Sequence, residues 1–106
     1  MGCRFNWSLQ RSDNAPGVDT LRSVSCVWPS GPCTAVGSTL RTIDRTVTLA
    51  ERLRDGRWVQ QPTPNLPGPL RLDLNAVSCP TASSCMAVGS VFKHFEYVTL
   101  AERYGP

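Results

Sequence analysis

A chain of 106 residues with a formal charge of +3 has room for one small domain, burying roughly two thirds of its unfolded surface, and none for two. Ten arginines and one lysine, Lys93, are scattered among eight acids. There is thus no basic stripe interleaved with aromatics to hold nucleic acid, and no apolar run approaches the length needed to cross a bilayer.

Residues 5–10 alternate Phe5, Trp7 and Leu9 with Asn6, Ser8 and Gln10, the period of a half-buried strand. Residues 11–20 carry Asn14, Pro16 and Gly17 and read as a loop. The spacing predicts a strand over residues 21–26, stopped by Trp28-Pro29-Ser30-Gly31-Pro32, which cannot continue a ladder. A second strand runs over 33–38, where Ala35 and Gly37 are small enough for a neighbouring sheet to approach. Residues 39–45 are polar and read as a connection. In the third strand, residues 46–53, Val47, Leu49, Glu51 and Leu53 share one face. Asp55-Gly56 tolerates positive φ and marks a hairpin, and Trp58 opens a fourth strand. Residues 62–69 hold four prolines and a glycine and form a surface connection. Strands over 73–79, 85–90 and 97–104 then follow.

This order repeats because the sequence repeats. Val24-Ser25-Cys26, Cys33-Thr34-Ala35-Val36-Gly37 and Thr48-Leu49-Ala50-Glu51-Arg52 return as Val77-Ser78-Cys79, Cys85-Met86-Ala87-Val88-Gly89 and Thr99-Leu100-Ala101-Glu102-Arg103. The offset drifts only from 53 (77 against 24) to 51 (99 against 48). A period of about 50 residues made of short strands is the size of one β-propeller blade. The segment around Trp7 stands 51 residues before that around Trp58, so it reads as a displaced copy of the fourth strand.

These motifs, with Trp58-Val59-Gln60-Gln61-Pro62-Thr63-Pro64-Asn65, resemble the Cys-bearing, kelch-like repeats that occur in tandem in secreted bacterial β-propeller proteins. The resemblance covers nearly the whole chain. It implies an all-β fold, a partial β-propeller of two four-stranded antiparallel blades with about eight strands. Residues 1–106 would form a single domain, with the first blade over 21–62. The second would span 73–104, complemented by the displaced strand 5–10. Blades of this kind come in sets of about six to eight, so two repeats cannot close a ring. The implied partners are further blades or the chain itself, in a head-to-tail homo-oligomer in which residues 5–10 of one copy complete the second blade of the next.

Cys26 and Cys33, and Cys79 and Cys85, flank the connection between the first and second strands of their repeats. Two disulfides across these turns fit the spacing better than zinc, whose paired ligands stand closer together and usually include His. Cys3 is left as a free thiol or an interchain bridge. Paired cysteines suit an oxidising, extracellular location, although Met1 to Phe5 is followed at once by polar sequence, without the apolar stretch of a signal peptide.

Glu51-Arg52 and Glu102-Arg103 recur once per repeat, which marks them as ties between neighbouring strands rather than as acid–base machinery. His94 is the only histidine, and no catalytic motif surrounds it; a hydrolase, the third reading of the function, would have to be built on it. No catalytic residue, cofactor or metal is implied. In an up-and-down meander the connections after the second and fourth strands emerge at one end. Residues 39–45, 63–71 and 91–96 therefore share a face, and loops on a rigid scaffold are where binding residues concentrate. Arg41, Asp44, Asn65, Phe92, Lys93, His94 and Phe95 are the candidate ligand residues, and polar groups beside aromatic faces suit a glycan. The first reading is a non-catalytic binding module for carbohydrate, with no role for nucleic acid or membrane. The alternative is a structural fragment or scaffold unit of a longer propeller, with no ligand of its own.

Overall fold

Strand formation follows the repeat closely. The computed structural model describes residues 8–9, 11–12, 18–29 and 31–105. Within them lie eight strands: β1 (Arg11–Ser12), β2 (Val18–Cys26), β3 (Cys33–Thr42), β4 (Arg45–Arg54), β5 (Arg57–Gln61), β6 (Arg71–Thr81), β7 (Ser84–Lys93) and β8 (Glu96–Tyr104). β2 to β5 form one antiparallel meander and β6 to β8 a second. A single parallel pair, Thr46 with Arg71, joins them into one open sheet.

The strands overrun their expected ends. β2 begins at Val18, inside the expected loop, and β3 continues to Thr42, leaving only Ile43 and Asp44 to turn the chain. Polar residues are no obstacle at these ends, because the ladder is made of backbone hydrogen bonds and both side-chain faces of β3 beyond Leu40 are exposed. Of the expected strand 5–10, only Ser8 and Leu9 are described, and they lie in no strand; the rest, with Cys3, lies outside the described residues. The N-terminal strand that does form, β1, pairs in parallel with β5 on the first meander. The second meander therefore has three strands here, not four, and β8 pairs only with β7 among the described residues.

The first strand of each repeat carries a bulge at the same place. Gly37 pairs with Leu21 and Val36 with Ser23, so Arg22 is an extra residue; Gly89 pairs with Leu74 and Val88 with Ala76, so Asn75 is another. Simple alternation puts Leu21 and Val24 on opposite faces. The extra residue shifts the parity by one, as a bulge must, and places both on the face of Ala35. In the second repeat the same shift gives Leu74 and Val77 a common face, on which they pack with Ala87 and Leu100 against Val36 and Ala50 of the first meander. The core thus lies between the two meanders.

The bulges explain the glycines. A Cβ on Gly37 would fall on the carbonyl oxygen of Thr20, and one on Gly89 on that of Asp73. The crowding comes from the adjacent strand of the same meander, not from a neighbouring sheet as the sequence led us to expect. Cys26 is bonded to Cys33 and Cys79 to Cys85, closing the turn beyond each bulge. Loops with sequence separations of 7 and 6 contribute roughly 2 kcal/mol each in the chain-entropy description.

Gly89→Ala is expected to destabilise the fold by about 3 kcal/mol, the upper end for overpacking, because a backbone carbonyl cannot move aside. Gly56→Ala, which meets no atom within 4 Å but holds φ at 76°, is expected to cost only about 1 kcal/mol. Urea unfolding of both variants measures the difference. Thr39 is fully buried and its hydroxyl has no hydrogen-bond partner, whereas Val91 stands at the same repeat position, 1% exposed. Thr39→Val is therefore expected to add about 1 kcal/mol, read as a rise of several degrees in Tm.

Candidate functional site

Three connections meet at one end of the molecule. The β3–β4 turn supplies Asp44, the connection over residues 62–70 supplies Pro67, Pro69 and Leu70, and the β7–β8 turn supplies His94 and Phe95. With Arg71 at the start of β6 and Phe92 and Lys93 at the end of β7, they line a groove of about 760 Å³.

Local chemistry builds each wall. The Asp44 carboxylate accepts a hydrogen bond from the Thr42 hydroxyl at 2.9 Å, closing its own turn. Arg45 donates to the carbonyls of Leu66 and Gly68, and the backbone N–H of Thr46 donates to Leu70 O at 3.1 Å, so the proline-rich connection is held against β4. Arg71 Nη2 donates to Ile43 O at 3.2 Å and brings a cation beside Asp44. Phe92 and Tyr97, directly opposed in the ladder, pack with ring centroids 4.8 Å apart and planes tilted by 49°. Lys93 is opposed in the ladder by Glu96, and the groove itself is lined by two cations, Arg71 and Lys93, and one anion, Asp44.

The β7–β8 turn is the strained part. Its two central residues, His94 and Phe95, have φ of 47° and 63°. The β4–β5 turn has the same form, with Asp55 and Gly56 at 51° and 76°. Asp-Gly suits positive φ, whereas bulky side chains in that region cost about 1–2 kcal/mol each. The Phe95 ring is 98% exposed and recovers nothing by burial.

Of the residues singled out from sequence, Asp44, Phe92, Lys93, His94 and Phe95 are brought together here. Arg41 is not: it is the extra, exposed residue of a bulge between Leu40 and Thr42. Asn65 is not either. Its Oδ1 accepts from the Thr48 backbone N–H at 2.8 Å and its amide donates to Thr63 O at 3.2 Å, while the Thr48 and Thr63 hydroxyls stand 2.7 Å apart. Asn65 thus fastens the connection to β4. Arg71 belongs to the groove but was not singled out; only its place at the end of the expected 63–71 connection hinted at it.

A second cavity, about 260 Å³, lies between the meanders and includes Arg52, Glu102 and Tyr104 in its lining. Here one member of each recurring Glu-Arg pair, Arg52 and Glu102, acts between the meanders. The Arg52 guanidinium donates to Ala82 O and lies 4.7 Å from the centre of the Tyr104 ring. Burial pushes the Glu102 pKa up from its ordinary value, with a hydrogen bond to Thr48 pulling the other way. Among the described residues no group of three or more His, Cys, Asp or Glu side chains is placed to hold a metal ion. Comparisons of the chain with protein-family models, with curated proteins and with solved structures returned no match.

A carboxyl whose folded pKa is raised contributes stability that is present below its unfolded pKa and lost as pH rises through the folded value. Glu102→Gln removes that loss. The variant's stability relative to the native chain is therefore expected to grow as pH rises from the acid side of the carboxylate range to neutrality, measured by urea unfolding across that range. A gap that shrinks with rising pH would mean that the ionised carboxylate is the favoured form.

Proposed function

We propose that this chain is a non-catalytic binding module of the kelch-like β-propeller type, and that the groove at the β3–β4 and β7–β8 turns takes carbohydrate. The carrying observation is the His94-Phe95 turn: two bulky residues are held at positive φ with the phenyl ring facing solvent. Strain of this kind clusters at ligand-binding and other functional sites. An exposed ring beside Asp44, Arg71 and Lys93 offers a stacking face with hydrogen-bonding groups at its rim. The propeller reading is supported by two meanders that share a bulge, a glycine and a disulfide at equivalent positions. The disulfides also support an extracellular location.

A scaffold unit of a longer propeller is the second reading. It rests on the three-stranded second meander and the unpaired edge of β8 among the described residues.

The two readings respond differently to one double substitution. Replacing His94-Phe95 by Asn-Gly supplies the residues a tight hairpin prefers and is expected to stabilise the fold by about 1–2 kcal/mol. Under the binding-module reading it also abolishes glycan binding, measured by calorimetric titration with ligands found on a glycan array. Glycan binding that survives the substitution would remove the groove from the site. The absence of any glycan binding by the native chain at millimolar protein would sink the carbohydrate reading.

A further inference from the structure

The contact between the two meanders is a template for a second one, because a matching face on the second meander and a matching strand edge on the first are exposed among the described residues. One side of it is the face of the first meander that carries Val36, Ala50 and Arg52; the other is the edge of β6, with Leu74 and Val77. Val36 is 2% exposed and Leu74 1%. Two directional bonds fix the alignment: the backbone N–H groups of Val77 and Cys79 donate to the hydroxyls of Ser23 at 3.3 Å and Ser25 at 3.0 Å. Arg52 reaches across to Ala82 O and Tyr104.

Each half has a counterpart one repeat away: the receiving face of the second meander is exposed and so is the β2 edge of the first, whereas Ala35 and Leu49, the counterparts of Ala87 and Leu100, are buried. In the second meander Val88 stands at the position of Val36, Ala101 at that of Ala50, Arg103 at that of Arg52 and Ser78 at that of Ser25. Val88 is 47% exposed, and Ala101, Arg103 and Ser78 are exposed with it. In the first meander Leu21 stands at the position of Leu74 and Val24 at that of Val77. They are 44% and 57% exposed, although the bulge at Arg22 gives them the common face that their counterparts use. β2 pairs only with β3 among the described residues, so its outer edge corresponds to the edge from which β6 donates its backbone N–H groups.

We infer that the β7–β8 face of one copy, around Val88 and Arg103, receives the β2 edge of a second copy, around Leu21 and Val24. The Ser78 hydroxyl accepts from the backbone N–H of Cys26 in that copy, as Ser25 accepts from Cys79 within one chain. A second copy fits because its β2 has the bulge, spacing and apolar residues of the strand that already fills the equivalent face. The contact is heterologous, so each copy keeps one free half, and assembly proceeds head to tail to a closed ring or an open chain. It is independent of the groove and of its ligand.

Sedimentation velocity tests the inference with three proteins: the native chain, Val88→Lys to block the receiving face, and Val24→Lys to block the donating edge. Both side chains are exposed, so circular dichroism and thermal unfolding are expected to stay unchanged; Arg103→Glu is the second receiving-face variant should Val88→Lys fail to fold. The native chain is expected to associate with rising concentration, and each variant alone to remain monomeric. Mixing the two restores one productive contact and is expected to give a one-to-one heterodimer and nothing larger. A native chain that stays monomeric to millimolar concentration, a variant that assembles like the native chain, or a mixture that stays monomeric would each overturn it.

Discussion

The carbonyl of residue 73 pressed against Gly89 is the constraint on which the packing of this molecule depends. The bulge that drives that carbonyl inward adds Asn75 to β6, and the added residue brings Leu74 and Val77 onto one face. Without it the two side chains would point to opposite faces, and the contact with Val36 would lose one of them. The glycine is thus required by the neighbouring backbone, with φ playing no part. The same device recurs at Thr20 and Gly37, so the first repeat is shaped for a contact like that of the second.

Polar groups complete the interface that apolar side chains begin. Ser23 and Ser25 accept from the otherwise unpaired edge of β6, which satisfies backbone donors that would be costly to leave bare. Arg52, 6% exposed, keeps a carbonyl and an aromatic face as partners, and Glu102 has Thr48. The Glu-Arg motif recurs because each repeat presents the same two faces, but its members do different work. Arg52 is covered by the second meander, while Arg103 is exposed.

At the other end of the strands the balance runs the opposite way. The proline-rich connection is stitched to β4 through Asn65, Thr63 and Thr48, giving the groove one rigid wall. The opposing His94-Phe95 turn is expensive in backbone conformation and exposes a phenyl ring. A sequence selected for stability alone would place residues such as Asp-Gly there, the pair that holds the same positive φ values in the β4–β5 turn.

Period, alternation and turn chemistry were sufficient, from sequence alone, to locate the seven long strands, the Asp55-Gly56 hairpin and the two disulfides, because each depends on residues close together in the chain. Strand parity also placed the β3–β4 turn, the proline-rich connection and the β7–β8 turn at one end, and five of the seven candidate ligand residues line the groove there. What sequence could not give is whatever depends on register. Arg22, Asn75 and Arg41 are bulged residues, invisible to a simple two-residue period, and they decide which side chains share a face and why Arg41 leaves the groove. Asn65 carried no mark separating a ligand contact from an internal hydrogen bond, since the choice rests on its distance to Thr48, 17 residues away. Tertiary packing alone made one copy of a repeated motif an interior surface and left the other facing water, because identical residues acquire different environments only when a neighbour covers one of them.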